Sequence, residues 1–119
     1  MTETFISFYL RYNRIHIFVD ALRGIGSPKY ICFMMQTDGN SLAVLPYDKK
    51  GFLSHRIPAD VYDGVIGMEV CSMKLCQIIS SLHRWDANCS YRVPGIVYEE
   101  QKAVVFDLLQ AETIKPRAS

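Results

Sequence analysis

The sequence lacks the features that define several protein classes. No apolar run comes near the roughly 18 residues that a membrane-spanning helix needs. The first twelve residues show no basic stretch followed by an apolar one, so no secretory leader is indicated. The phosphate-binding loop, the dinucleotide fingerprint, the nucleophile elbow and the zinc-protease motif are all missing. We therefore expect a cytoplasmic protein that is not an enzyme, with no membrane partner and no small-molecule substrate.

Neither sign of charge is in excess. The 119 residues include 13 Lys and Arg against 12 Asp and Glu, a net charge of +1. A surface built throughout to hold nucleic acid or an anionic membrane would be strongly basic. Apolar residues make up 50% and charged residues 21% of the chain, which excludes intrinsic disorder. We expect one domain over residues 1–110 and a flexible C-terminal tail over residues 111–119, where no packing pattern is found.

The cysteines and histidines suggest no metal or catalytic site. We expect four reduced thiols that serve as small core side chains. They are Cys32, Cys71, Cys76 and Cys89. The last three with His83 lack the close C-x2-C spacing of a zinc knuckle. His55, Asp60 and Asp63 lie in one loop region, but turn formation explains the two aspartates. We predict no metal, no cofactor and no catalytic residue.

Hydrophobic periodicity predicts an α+β domain. One helix begins at Asp20 and ends at Gly26, and a longer one covers Met73–His83 with Ser72 as its N-cap. Strands are predicted over residues 5–11, 14–18, 30–36, 42–47, 53–57, 65–70, 90–98 and 103–109. The run over residues 30–36 is almost continuously apolar, which is typical of a strand buried on both faces. Pro94 and Gly95 interrupt the strand over 90–98, which indicates an edge strand or a bulge.

The two halves of the chain look alike. Tyr30 precedes Leu42 by the same spacing as Tyr91 precedes Ala103, and without a gap Val44 falls on Val105. Chance similarity between two amphipathic hairpins is the alternative. A true duplication of a strand-helix-strand-strand unit would give an antiparallel sheet with two helices on one face.

Three partial resemblances follow from these patterns. Residues 14–31 and 42–46 resemble the strand, helix and hairpin of AbrB-type transcription regulators, which form intertwined dimers and bind DNA; this implies phosphate contacts by Arg14 and Arg23. The duplicated topology is similar to one domain of a DNA polymerase sliding clamp, which implies that Arg23, Lys74 and Arg84 face a duplex. The frame A-L-R-x-I-G-x-P-x-Y over residues 21–30 and the segment Y-R-V-P-G over 91–95 resemble short uncharacterised proteins of Gram-positive bacteria and their mobile elements. That last resemblance spans most of the chain and implies a bacterial protein without implying a function.

A local cluster of basic residues makes DNA a candidate partner. Residues 11–29 contain Arg11, Arg14, Arg23 and Lys29 but only one acid, Asp20. If Arg11 and Arg14 share the outer face of the first hairpin with Tyr9 and His16, these four side chains form a patch that can contact nucleic acid. The alternative is an ordinary solvated sheet face with cross-strand polar pairs.

Aromatic residues are more numerous than a core of this size needs. Six Phe, seven Tyr and one Trp amount to 12% of the chain. Their polar atoms cannot all find partners inside, so some are expected on an interaction surface, with Trp85, Tyr47 and Tyr62 as candidates. The prediction is a non-catalytic binding or assembly module, a homo-oligomer that could also bind DNA. The alternatives are a protein-interaction module without nucleic acid and, third, a small enzyme.

Overall fold

A computed structural model describes residues 2–48 and 54–114. Within these residues it contains nine strands, two helices and three short 3₁₀ segments. The strands are β1 (Thr2–Tyr9), β2 (Arg14–Phe18), β3 (Tyr30–Met35), β4 (Ser41–Pro46), β5 (His55–Arg56), β6 (Gly67–Cys71), β7 (Ser90–Tyr98), β8 (Ala103–Asp107) and β9 (Glu112–Ile114). The helices are α1 (Val19–Gly24) and α2 (Met73–His83), and the 3₁₀ segments are Leu10–Tyr12, Ala59–Asp63 and Leu108–Gln110. The first residues of the predicted strand over 53–57 lie outside the described residues.

All strands belong to one antiparallel sheet that is nearly closed. Their order is β5-β3-β4-β8-β7-β1-β2-β6, and β9 pairs with the free part of β7. The two outermost strands, β5 and β6, follow each other in the chain, so the segment Ala59–Asp63 spans the gap between them. The α+β class and the antiparallel sheet are therefore confirmed.

Strand alternation places one continuous core inside this sheet. Ile6 and Phe8 of β1 are fully buried, and so are Val104 and Phe106 of β8. Because successive side chains point to opposite faces, the residues between them face outward. The largest fully buried side chains are Phe8, Phe106, Ile6, Ile15, Ile17, Leu22, Ile25, Ile31, Leu42, Ile79, Leu108 and Val44.

The two helices share this core but lie at opposite ends of the sheet. At the end where β1 begins, the Thr4 hydroxyl donates to Asp20 of α1 (3.0 Å). At the other end, the Ser72 N–H donates to the Asn13 carbonyl (3.0 Å), and the ring of His83 donates to the Gly39 carbonyl (2.8 Å). Both helices pack against the same face of the sheet, its inner face, and they close its two ends. Because the sheet is curved and nearly closed around the core, the core has two ends, and one helix covers each of them.

The strand β7 is central, so of the two predicted alternatives, an edge strand or a bulge, the edge strand is wrong. It pairs with β1 along most of its length, with β8 at residues 95–98 and with β9 at residues 90–92. Pro94 lies between the stretches of β7 that pair with β9 and with β8. Its missing N–H therefore interrupts no pair with either of these two strands. Gly95 is required by close approach, since a Cβ there would lie 2.4 Å from Cδ1 of Phe106.

The C-terminal segment is ordered further than the predicted boundary at residue 111. Glu112–Ile114 forms β9 and pairs with Ser90, Tyr91 and Arg92. Backbone pairing needs no apolar pattern, which is why the side chains of this segment did not reveal it. Residues 115–119 of the predicted tail lie outside the described residues.

The proposed internal correspondence does not hold residue by residue. The order strand, helix, strand, strand does occur twice, as β2-α1-β3-β4 and β6-α2-β7-β8. However, the offset that matches Val44 with Val105 pairs a fully buried side chain with an outward-facing one. A shift of one residue exchanges the faces of a strand, so this alignment cannot superpose the two cores. Duplication itself stays a prediction.

Candidate functional site

The outward side chains of four neighbouring strands form an apolar surface. Across the strands, Met34 pairs with Ala43, Ala43 with Val105, and Val105 with Ile96. A second pair, Cys32 and Leu45, lies beside this row. Met34 is 56% exposed and the other five side chains are half-buried. We call this surface the open face; it consists of Cys32, Met34, Ala43, Leu45, Ile96 and Val105.

In the described part of the chain, both helices lie on the other side of the sheet. The buried residues of α1 and α2 belong to the core, and the core lines the inner face. An antiparallel sheet with one solvated face normally presents polar residues on it. Here polar residues occur beside the apolar row instead: Glu3 pairs with Ile96, and Ser41 with Asp107. An apolar centre with a polar rim is the usual composition of a protein interface.

Two adjoining grooves lie at the end of the sheet that carries α1. Their volumes are about 640 Å³ and 610 Å³, and they share Lys29 and Tyr30 as a common wall. The first groove is also lined by Ile25, Gly26, Pro28, Pro46, Tyr47, Asp48 and Lys102. The second is also lined by Ser27, Ser54, Arg56, Ile57, Ala59 and Tyr62. Lys29 and two of the predicted interaction tyrosines therefore meet at one place, a convergence that the sequence did not indicate.

The four basic residues predicted to contact phosphate do not form one patch. Arg11 and Arg14 lie where β1 ends, whereas Arg23 and Lys29 lie where it begins. An eight-residue strand spans about 24 Å, so the two pairs are well separated. Two of the four cations are also engaged within the chain. Arg14 forms an ion pair with Glu69 (Nη1 to Oε2, 2.9 Å), which raises the pKa of Arg14. Arg23 donates from Nη2 to the carbonyls of Tyr62 and Gly64, both at 2.8 Å.

The aromatic side chains predicted as an interaction surface are mostly structural. The ring of Trp85 stacks on Tyr91 with centroids 4.5 Å apart and meets Phe8 edge-on. The hydroxyl of Tyr62 donates to the Pro28 carbonyl (2.5 Å), and burial raises the pKa of Tyr62 to about 12. Tyr47 is 37% exposed and lines the first groove. Trp85 therefore lies in the packing at one end of the sheet, whereas Tyr47 and Tyr62 line the two adjoining grooves at the other end.

The open face contains no aromatic side chain, and sequence reasoning missed it. The sequence feature that could have revealed it is the apolar run over residues 30–36, which predicts a strand buried on both faces. The inner residues of that run, Ile31, Phe33 and Met35, do pack in or against the core. The outer ones, Cys32 and Met34, belong to the open face.

Burial shifts the pKa of two titratable side chains in the core and beside it. Cys76 is buried, and burial together with Cys71 raises the pKa of its thiol to about 11. His55 packs its ring against Phe33, and burial lowers its pKa. Among residues 2–48 and 54–114 no group of three or more His, Cys, Asp or Glu side chains is placed to hold a metal ion.

Two further findings bear on the class of protein. Over the described ranges, no helix is both long and apolar enough to cross a membrane. The resemblances to AbrB-type regulators, to a sliding-clamp domain and to short Gram-positive proteins stay predictions. No family model, no curated protein and no solved structure matches this chain.

Proposed function

We propose that this chain is a non-catalytic assembly module that associates with a second copy of itself through the open face. The observation that supports this proposal is the apolar row Met34, Ala43, Val105 and Ile96, which crosses four strands on the side away from both helices. Apolar area exposed in this way is unfavourable in water, and a partner removes it.

A second copy is a suitable occupant because one sheet face complements another. Two sheets stack about 10 Å apart with their strands within about 30° of each other, and their side chains interdigitate. A two-fold axis presents the same residues from both sides. In the row, the small Ala43 and Val105 lie between the longer Met34 and Ile96, which leaves a shallow centre between two ridges. The unbranched Met34 can adjust its shape to the facing copy.

The size of the surface means that the rim must take part. Four strands span about 14 Å from the first to the last. The area that they carry is therefore smaller than the roughly 800 Å² that each partner of a stable interface buries. Phe5, 40% exposed, extends the apolar surface on the next strand, and the guanidinium of Arg92 lies 5.3 Å from the centre of its ring. We therefore expect Phe5 and Arg92 to lie in the rim of the dimer.

The alternative is a docking surface for a different protein, with no self-association and no nucleic acid. The same residues would then remain exposed until that partner binds, and the purified chain would stay monomeric at every concentration. The cytoplasmic location remains part of the main proposal, and the four free cysteines support it.

A pair of Lys variants tests the proposal. Val105→Lys places a charge at the centre of the open face, whereas Met73→Lys places the same charge on α2, away from the open face, at an apolar side chain that is 59% exposed. We expect dimers of the unchanged chain and of Met73→Lys in light scattering, but monomers of Val105→Lys. Circular dichroism checks that both variants fold, and Met34→Lys replaces Val105→Lys if the latter does not. Dimers of a folded open-face variant would overturn the proposal.

A further inference from the structure

We infer that the two grooves beside α1 form a binding site for single-stranded nucleic acid. The ridge of Lys29 and Tyr30 separates the grooves and lines both of them. In this site, phosphates would contact Lys29, Arg56 and Lys102, and bases would stack on Tyr30 and Tyr47. The site is distinct from the open face and from the four-residue basic cluster that the sequence suggested, with which it shares only Lys29.

The charges of the grooves favour an anion. Lys29 and Lys102 line the first groove together with one carboxylate, Asp48, and Lys29 and Arg56 line the second groove. Within the described residues, the side chains of these three cations form no ion pair and no hydrogen bond, in contrast to Arg14 and Arg23. Unpaired cations along a groove are what a phosphate backbone binds.

The aromatic walls favour bases. Tyr30 lines both grooves, and Tyr47, which is 37% exposed, lines the first. Stacking on such rings tolerates any base, because every base has a π-face. Tyr62 in the second groove keeps its hydroxyl on the Pro28 carbonyl, so its ring forms a fixed wall.

The ridge is held rigidly by three consecutive backbone carbonyls. Pro28 accepts from the Tyr62 hydroxyl, Lys29 from the Ile57 N–H and Tyr30 from the Tyr47 N–H, the last two at 2.8 Å. Each bond connects the ridge to a different neighbouring segment. A ridge fixed in this way loses little conformational freedom when a ligand binds, which favours affinity.

The arrangement suits a single strand better than a mononucleotide or a duplex. Two adjoining grooves of similar volume with cations in each can hold consecutive nucleotides. Bases in a duplex are stacked on each other and cannot reach the tyrosines, whereas bases of a single strand can. Duplex reading also needs a helix or ribbon that enters a groove of the DNA, and α1 has only six residues.

Fluorescence anisotropy with a labelled thymidine 12-mer tests the charges. We expect binding at low salt that weakens as salt rises. We also expect Lys29→Ala, Arg56→Ala and Lys102→Ala each to lower the slope of log affinity against log salt by about 0.7. Lys74→Ala, which removes an exposed lysine of α2 far from the grooves, serves as the matched control. No binding at low salt, binding without salt dependence, or an equal loss in Lys74→Ala would overturn the inference.

A tyrosine pair and two competitors test the class of ligand. Tyr47→Ala should weaken binding about tenfold, whereas Tyr12→Ala, which removes a tyrosine exposed at the other end of the sheet, should not. An unlabelled 12-mer should compete far better than a duplex of the same length or thymidine monophosphate. Stronger competition by either of those would contradict the inference. Val105→Lys, which we expect to be monomeric, should still bind the 12-mer. Failure of the proposed nucleic-acid site can therefore be distinguished from failure of the proposed dimer.

Discussion

At the scale of single residues, Arg23 has contacts inside the chain that its neighbours in the sequence do not reveal. The sequence predicted a phosphate contact, because Arg23 lies among basic residues in a resemblance to DNA-binding regulators. In the structure its guanidinium donates to two carbonyls, 39 and 41 residues away in the chain. These carbonyls flank the end of the segment that joins the outermost strands. A backbone acceptor so distant leaves no trace in local sequence, so this role could not be predicted.

Replacing Arg23 should therefore weaken the fold. We expect Arg23→Ala to lower the free energy of unfolding by about 1–3 kcal/mol, since hydrogen bonds from a charged donor to two carbonyls are lost. Urea unfolding measures the change. Arg11→Ala is the matched control, an exposed arginine with no bond from its side chain within the described residues, and should stay within about 0.5 kcal/mol. Equal effects of the two changes would contradict the structural role.

The cysteines differ in reactivity because their surroundings differ. Cys71 is exposed, whereas Cys76 is 1% exposed and burial raises the pKa of its thiol to about 11. Since the thiolate is the reactive form, a disulfide reagent at pH 8 should modify Cys71 quickly and Cys76 only after unfolding. Absorbance of the released thiol follows both reactions. Cys71→Ser should abolish the fast phase, and its survival in that variant would show that the assignment is wrong.

At the scale of elements, local signals were reliable and non-local pairing was not. The helix α2 was predicted with the bounds that it has, because an apolar stripe and a capping serine are both local. The strand β7 also had the right extent, but its central position depends on β1, β8 and β9, which are distant in sequence. Likewise, the short strand β9 exists through its pairing with β7.

The cap of α2 offers a direct test of local control. The Ser72 hydroxyl accepts a hydrogen bond from the Leu75 N–H (3.2 Å). Ser72→Ala should lower the free energy of unfolding by about 1 kcal/mol, because the Leu75 N–H loses its acceptor. Ser81→Ala, at an exposed position inside the same helix, should be neutral or slightly stabilising, since Ala is the better helix former. Thermal unfolding of both variants measures the two changes in stability. A larger loss of stability in Ser81→Ala than in Ser72→Ala would refute the capping role.

At the scale of the whole molecule, the two faces of the sheet explain both the success and the failure of sequence reasoning. Alternation identified the inner residues of the strands, such as Ile15, Ile17 and Phe106, and all three are fully buried. It could not say what covers the outer residues, because a strand buried by a helix and one buried by a partner have the same composition. Within the described residues both helices pack against the inside, and we propose that a partner covers the open face.

The concentration dependence of the mass of the unchanged chain tests this account most directly. Sedimentation equilibrium from low to high micromolar concentration should show a rise from 13.6 kDa toward twice that value. Val105→Lys should stay at the lower mass throughout, because its charge lies at the centre of the surface that two copies would share. A single species of 13.6 kDa at every concentration of the unchanged chain would contradict self-association through the open face.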